Sequence, residues 1–138
     1  MNDSDRSRFD KLLESALTDL PDRLHRLLDE VPLVVDDSPS PEILRELCCQ
    51  PEEICGLYSG LMLTERSVED LPSIPETIHI FRIGVLAIAG GWDTWHDEDG
   101  TPMGGEDVIR EEIRITLLHE IGHHFGLDED ELERLGFS

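Results

Sequence analysis

Apolar residues recur every three or four positions through the first thirty residues, a spacing that predicts amphipathic helices. The apolar positions of this stripe are Phe9, Leu12, Leu13, Ala16, Leu17, Leu20, Leu24, Leu27, Leu28 and Val31. Pro21 interrupts the stripe. Because proline lacks an N–H and clashes with the preceding turn, it should kink the helix or start a second one. We expect the stripe to pack in the core.

Two short elements are predicted next. The β-branched run 33–35 predicts a strand, and the polar, proline-containing segment 36–41 predicts the loop that ends it. The segment 42–49 then predicts a short helix, with Pro41 in its first turn.

The middle of the chain predicts further strands. The segment 54–63 predicts a strand or hairpin broken at two glycines, Gly56 and Gly60. The segment 71–75 predicts an extended connector, because each proline disfavours helix at the residue before it. The nearly continuous apolar run 77–89 predicts a strand buried on both faces, with Gly84 as a bulge or a break.

The last third of the chain is predicted to be helical. A loop rich in glycine and aspartate spans 90–105, and a helix with a regular apolar face begins near Glu106. Gly126 stands where a left-handed residue can end that helix, and a short last helix is predicted over 129–135. The expected fold is a single mixed α/β (α+β) domain over 1–138: N-terminal helices, a short mixed sheet, a long helix and a short C-terminal helix.

Composition and charge narrow the classes of partner. Hydrophobic residues make up 38% and charged residues 31% of the chain, as in a soluble globular domain. Eleven Lys and Arg against 32 Asp and Glu give a net charge of −21, which repels phosphate backbones and anionic lipid. We therefore expect neither nucleic acid nor a membrane as a partner. With no secretion signal or long apolar span, and three cysteines unsuited to a disulfide framework, we expect a cytoplasmic protein.

The predicted long helix contains His119-Glu120-Ile121-Gly122-His123, an H-E-x-x-H motif. Residues four apart lie on one face of a helix, so the two imidazoles can bind one zinc ion through two nitrogens. Glu120 is rotated by about 100° from His119 and can reach a water molecule at the metal without ligating the metal. The motif therefore predicts His119 and His123 as metal ligands, Glu120 as the catalytic general base and Zn²⁺ as the cofactor.

The third metal ligand must come from the residues after Gly126, where three acidic side chains are candidates: Asp128, Glu129 and Asp130. Asp128 followed by Glu131 resembles the capping box of a last helix, which would commit both side chains to backbone N–H groups. Glu129 follows the second histidine of the motif by six residues, the offset at which H-E-x-x-H-x-x-G-x-x-H enzymes place their third histidine. We predict Glu129 as the third ligand, with Asp130 as the next candidate and Asp128 as the last.

The motif and its surroundings resemble the minimal zincin-like zinc metallopeptidases of bacteria. The segment 119–127 is similar to that family's H-E-x-x-H-H-x-G signature, and the resemblance extends to 57–60, 63–67 and 34–37. It covers most of the chain after the first helices, whereas the loop 90–103 departs from the family pattern. The resemblance implies a small zincin-like fold, a zinc-dependent peptidase and an acidic third ligand, usually Asp, where this chain has Glu129.

The predicted chemistry is hydrolysis of a peptide bond in a peptide or protein substrate. Zinc would activate water and polarise the carbonyl, while Glu120 takes the proton of the water and passes it to the leaving amine. The alternative is a non-catalytic metal-binding or protein-interaction domain on the same scaffold. The chain is small, and no evident second group stabilises the oxyanion; Tyr58, His96 and Arg82 are suitable only by residue type.

Four further residues are candidates for supporting roles. Glu112 and Thr116 share a helix face with His119, so either can fix the tautomer of a ligand imidazole or simply be a structural residue. Trp92 and Trp95 belong to the glycine-rich loop, which we expect to overhang the zinc cleft. One of these indoles would then form an apolar wall for the substrate.

Overall fold

The computed structural model of the chain describes residues 1–59, 76–124, 126 and 130. The helices are α1 (Asp3–Thr18), α2 (Asp22–Glu30), α3 (Pro41–Leu47), α4 (Arg82–Ala89) and α5 (Glu106–His124). The strands are β1 (Leu33–Asp36), β2 (Gly56–Ser59), β3 (Thr77–Phe81), β4 (Trp95–His96) and β5 (Pro102–Met103). Within the described residues, five helices and two small sheets form the mixed α+β fold that the sequence predicts.

The N-terminal helices form as the apolar stripe predicts. The side chain of Asn2 accepts a hydrogen bond from the Asp5 N–H at 2.7 Å and caps the start of α1. Pro21 separates α1 from α2, which confirms the predicted start of a second helix at this proline. Phe9, Leu13 and the other buried residues of α1 belong to the main core of the protein.

In the part of the chain that the structure describes, the main sheet has three strands in the order β1-β3-β2. β1 runs parallel to β3, with Leu33 opposite Ile78, and β2 runs antiparallel to β3, with Gly56 opposite Ile80. Ile78 and Ile80 share one face of β3 and are completely buried, whereas Thr77 and His79 on the other face are only half-buried, so the burial on both faces that the sequence predicts is incomplete. Among the described strands, β2 pairs with β3 alone, so it is an edge strand in that part of the chain.

The strand predicted over 77–89 is wrong beyond Phe81, where the chain enters α4. A continuous apolar run does not separate a buried strand from a buried helix, because neither shows a polar face. Gly84 permits the close packing of α4, since a Cβ at this position would overlap the Ile54 carbonyl oxygen. Gly90, with φ of 99°, then ends the helix in the left-handed conformation.

The predicted loop 90–105 contains a small hairpin formed by β4 and β5. Asp97 stabilises its turn: one carboxylate oxygen accepts hydrogen bonds from the N–H groups of Asp99 and Thr101, both at 2.9 Å. β2 runs from Gly56 to Ser59, so the strand predicted from residue 54 begins two residues later and has no break at Gly56. The predicted break at Gly60 and the residues up to 63 lie outside the described residues. The predicted connector 71–75 lies outside the described residues.

The helix α5 packs against α1, α4 and the main sheet and supplies much of the core. Leu117 and Ile121 are buried, whereas His119 and His123 remain partly exposed. The predicted last helix over 129–135 lies outside the described residues, apart from Asp130, which is helical. None of the helices in the described ranges is long and apolar enough to cross a membrane.

Candidate metal centre

The last two turns of α5 carry His119, Glu120 and His123. Because the two histidines are four residues apart, their rings lie side by side, with centroids 4.7 Å apart and planes at 80°. Their Nε2 atoms are 3.0 Å apart. The helix therefore brings the two imidazoles together as their spacing predicts.

The donor set fits a zinc ion. One potential ligand atom from each of His119, Glu120 and His123 lies within 4.8 Å of the other two. Two nitrogens of a tetrahedral zinc site with Zn–N bonds of about 2.0–2.1 Å are roughly 3.3 Å apart. The 3.0 Å between the two Nε2 atoms is close to that separation, so a small movement of the rings would accommodate the ion.

Glu120 is buried, with 6% of its surface exposed. The backbone of β2 confines it: a Cβ on Gly56 would lie only 3.2 Å from the Glu120 Cγ. Because the Glu120 side chain is packed between its own helix and the backbone of β2, few of its rotamers are accessible. The packing of β2 on α5 thus restricts the position of this carboxylate beside the two imidazoles.

A cleft of about 330 Å³ opens beside His119 and Glu120. Its described walls are the segment 53–56, Ile88 of α4, and one side of α5 with Glu112, Ile115, Thr116, His119 and Glu120. The Thr116 hydroxyl donates a 2.8 Å hydrogen bond to the Glu112 carbonyl oxygen of the same helix. The hydroxyl thus bonds within its own helix, and among the described residues it forms no hydrogen bond with either imidazole.

Two groups in this cleft have altered proton affinities. Burial, with added repulsion from the Glu112 and Glu120 carboxylates, raises the pKa of the Cys55 thiol to about 11. Burial, together with the neighbouring charge of Glu111, also raises the pKa of the Glu112 carboxyl. The cleft is therefore a poorly solvated environment in which additional negative charge is unfavourable.

A partly buried network joins β2 to the end of α5. The Tyr58 hydroxyl is 3.3 Å from Nδ1 of His124, and the same nitrogen is 3.5 Å from a carboxylate oxygen of Glu76. His124 is only 7% exposed. Sequence patterns give no sign of this network, because its three members come from separate segments of the chain.

The predicted third ligand, Glu129, lies outside the described residues, as does Asp128. Asp130 is described and exposed, and it does not belong to the group formed by His119, Glu120 and His123. Gly126 has φ of 76°, and its N–H bonds to the His123 carbonyl oxygen at 2.9 Å. The left-handed glycine predicted at the end of this helix is confirmed.

Arg82 and His96, two of the candidates for stabilising an oxyanion, lie elsewhere. Arg82 binds both carboxylate oxygens of Asp10 at 3.0–3.1 Å and one oxygen of Asp37 at 3.1 Å. These bonds tie the start of α4 to α1 and to the end of β1. His96 is exposed in the small hairpin and is not among the described residues that line the cleft.

Neither tryptophan belongs to the described lining of this cleft. The Trp95 indole N–H donates to the Gly90 carbonyl oxygen at 2.8 Å. The Trp92 ring lies 4.3 Å from the Arg8 guanidinium carbon, a distance at which a cation stacks on an aromatic face. Both indoles therefore stabilise the loop 90–105, and the expected apolar wall comes instead from isoleucines.

Comparisons with known proteins support the geometric result. The model of a family described as zincin-like metallopeptidase matches residues 28–137. The match runs from the end of α2 through α5 and includes His119, Glu120 and His123. A search of curated proteins found no match.

Proposed function

Because the chain belongs to the family of zincin-like metallopeptidases, we propose that it is a zinc-dependent peptidase. One observation carries the proposal: His119, Glu120 and His123 converge within 4.8 Å at the side of a cleft. Two imidazoles and a carboxylate are the groups that hydrolytic zinc sites use for binding and for proton transfer.

His119 and His123 would hold the ion through their Nε2 atoms, and we propose Glu129 as the third ligand. A carboxylate ligand is compatible with Zn²⁺, which accepts Asp and Glu oxygens as well as imidazole nitrogens. Three protein ligands would leave one coordination position for the substrate or a water molecule.

When bound, zinc would supply Lewis-acid activation of a water molecule and of the scissile carbonyl. Glu120 would accept the proton of the attacking water and later deliver it to the leaving amine. Its confinement against Gly56 favours this role, since a fixed base loses little conformational freedom in the transition state. Its position one residue after His119 places it beside the imidazoles and on a neighbouring face of the helix.

The edge strand favours an extended peptide as the substrate. Among the described strands, β2 pairs only with β3, and its first residue, Gly56, lines the cleft with Cys55. An extended peptide can add to such an edge through main-chain hydrogen bonds, whatever its sequence. A substrate held in this way would lie beside Glu120.

Metal content and turnover test the proposal. We expect about one zinc per chain after dialysis in the wild type and in Glu120→Gln, and loss of the zinc in His119→Ala. His96→Ala is the matched control, because it removes an exposed histidine outside the cleft. In a broad peptide library analysed by mass spectrometry, Glu120→Gln should reduce cleavage by about a hundredfold or more.

Two outcomes would overturn the proposal. If His119→Ala binds as much zinc as the His96→Ala control, the two helix histidines are not metal ligands. If the zinc-loaded wild type cleaves nothing in the library, the chain is instead a non-catalytic metal-binding domain on the same scaffold.

A further inference from the structure

The cleft extends away from the candidate metal centre along α5. From His119 and Glu120 it follows the helix back through Thr116 and Ile115 to Glu112. Glu112 lies seven positions before His119, which corresponds to about 10 Å along the helix axis. A substrate side chain that leaves the scissile bond in this direction would therefore run towards Glu112.

The walls of this cleft are largely apolar. Ile54 lies on one side, Ile115 on α5, and Ile88 on α4. Among the described residues, Ile88 is one of four large hydrophobic residues that are exposed, at 54%. An exposed isoleucine at the mouth of a cleft can be covered by the hydrocarbon part of a ligand, which gains the free energy of removing apolar surface from water.

Glu112 places a negative charge at the far end of these apolar walls. Its carboxyl is half-buried, and no cationic side chain in the described part of the chain pairs with it. The adjacent Glu111, by contrast, is exposed and pairs with Arg114 at 3.1 Å. Since burial without a counter-ion disfavours the charged form of a carboxyl group, a cation brought to Glu112 would stabilise it.

We infer that this cleft is the subsite for a basic side chain of the peptide substrate, lysine or arginine, with Glu112 as the specificity-determining residue. Both side chains combine a hydrocarbon stem with a cationic end. The stem matches the isoleucine walls, and the cation matches the half-buried carboxylate. The inference rests on the proposed function, because only the metal centre makes this cleft part of a substrate site.

Glu53 adds a weaker contribution at the rim of the same cleft. Its carboxylate accepts a hydrogen bond from the Gln50 N–H at 3.0 Å and so caps the 3₁₀ turn Pro51–Glu53. Glu53 is exposed, so water screens its charge. Its charge makes the local electrostatic potential more negative. Glu112 remains the group that a bound cation would contact.

Binding of two hydroxamates to the zinc-loaded protein tests this inference without requiring turnover. The probes are Nα-acetyl-lysine hydroxamate and Nα-acetyl-norleucine hydroxamate, which share a metal-binding group and a four-carbon stem and differ in the ammonium group. We expect the wild type to bind the lysine probe about tenfold more tightly by calorimetry. Glu112→Gln should reduce this ratio to less than about twofold. Glu111→Gln, which makes the same change of charge one residue away, should preserve it.

The possible outcomes distinguish a failure of the basic subsite from a failure of the proposed peptidase function. Equal binding of both probes to the wild type, or a lysine preference that survives in Glu112→Gln, would overturn the basic subsite and leave the peptidase proposal standing. If neither probe binds in the presence of zinc, the proposed function itself fails, and the subsite fails with it. Should Glu112→Gln not fold by circular dichroism, Glu112→Ala provides the same comparison.

Discussion

Gly56 of β2 lies so close to Thr116 of α5 that a Cβ at position 56 would be 2.7 Å from the Thr116 Cγ2. The same Cβ would lie 2.9 Å from the His79 carbonyl oxygen. The backbone at Gly56 and the side chain of Thr116 are therefore in contact, without space for one more carbon atom between them. This contact fixes the distance between the edge strand and the helix that carries the candidate metal ligands.

We predict that Gly56→Ala destabilises the protein by about 1–3 kcal/mol, because the added methyl group overpacks this contact. Chemical denaturation measures the loss of stability. Thr116→Ser removes the Cγ2 methyl group that the added Cβ would meet. The double variant Gly56→Ala/Thr116→Ser should therefore recover part of the lost stability. A Gly56→Ala protein as stable as the wild type would show that β2 and α5 can move apart freely.

Cys55 should react slowly with alkylating reagents. With a pKa of about 11, only about one thiol in a thousand is ionised at pH 8, and the thiolate is the reactive form. In a Cys48→Ser/Cys49→Ser background, the rate of iodoacetamide labelling should rise about tenfold per pH unit between pH 8 and 10. Mass spectrometry follows the labelling.

The Glu112 carboxylate contributes to this slow reaction. Since its charge is one of the causes that raise the Cys55 pKa, Glu112→Gln should accelerate labelling at pH 8. Glu111→Gln is the control for the general loss of a negative charge. Equal rates in the Glu112→Gln and Glu111→Gln proteins would show that the Glu112 charge does not reach the thiol.

Arg82 should contribute to stability through the fixed geometry of its guanidinium group. It binds Asp10 through both carboxylate oxygens and also contacts Asp37, with only 11% of its side chain exposed. Lysine cannot reproduce these paired bonds, so Arg82→Lys should cost about 2 kcal/mol. In Arg110→Lys, which alters an exposed ion pair with Asp107, the expected cost is below about 0.5 kcal/mol. Equal costs would contradict a special role of the Arg82 geometry.

The stability provided by Asp37 should depend on pH. Hydrogen bonding from Arg6, partly opposed by burial and reinforced by Arg82, lowers the pKa of Asp37 in the folded protein below its ordinary value of 3.8. The carboxylate therefore stabilises the fold above the unfolded-state pKa, and this contribution is lost as the pH falls through the folded-state pKa.

Urea denaturation across a pH series measures this effect. Asp37→Asn should destabilise the protein at pH 7, and the difference from the wild type should shrink steadily below about pH 4. Asp36→Asn changes an exposed neighbour and should show a much smaller difference at pH 7. A difference between Asp37→Asn and the wild type that stays constant down to pH 2 would refute the assigned role.

Local regularities in the sequence predicted several elements correctly. The apolar stripe and Pro21 predicted α1 and α2, the β-branched run predicted β1, and the periodic last third predicted α5. The i, i+4 spacing predicted that His119 and His123 would meet, because helix geometry alone sets that relationship. The resemblance to zincin-like metallopeptidases is confirmed by the family match.

Tertiary packing decided the features that involve distant segments. Arg82–Ala89 forms a helix that buries Val85 and Ala89 in the core and leaves Ile88 exposed, a choice that hydrophobicity alone leaves open. The same packing brings Arg82 into contact with Asp10 and Asp37, and it brings Tyr58 into contact with His124.

The surroundings of Glu112 show the same division. Its spacing from His119 predicted a shared helix face and suggested contact with an imidazole. Only the approach of α4 and the segment 53–56 to α5 creates the cleft in which Glu112 lies. The sequence by itself therefore determined the helix that carries the His-Glu-His group, because its period is a local property of the backbone. The tertiary structure determined what surrounds that group, because contacts between separate segments depend on how the whole core packs.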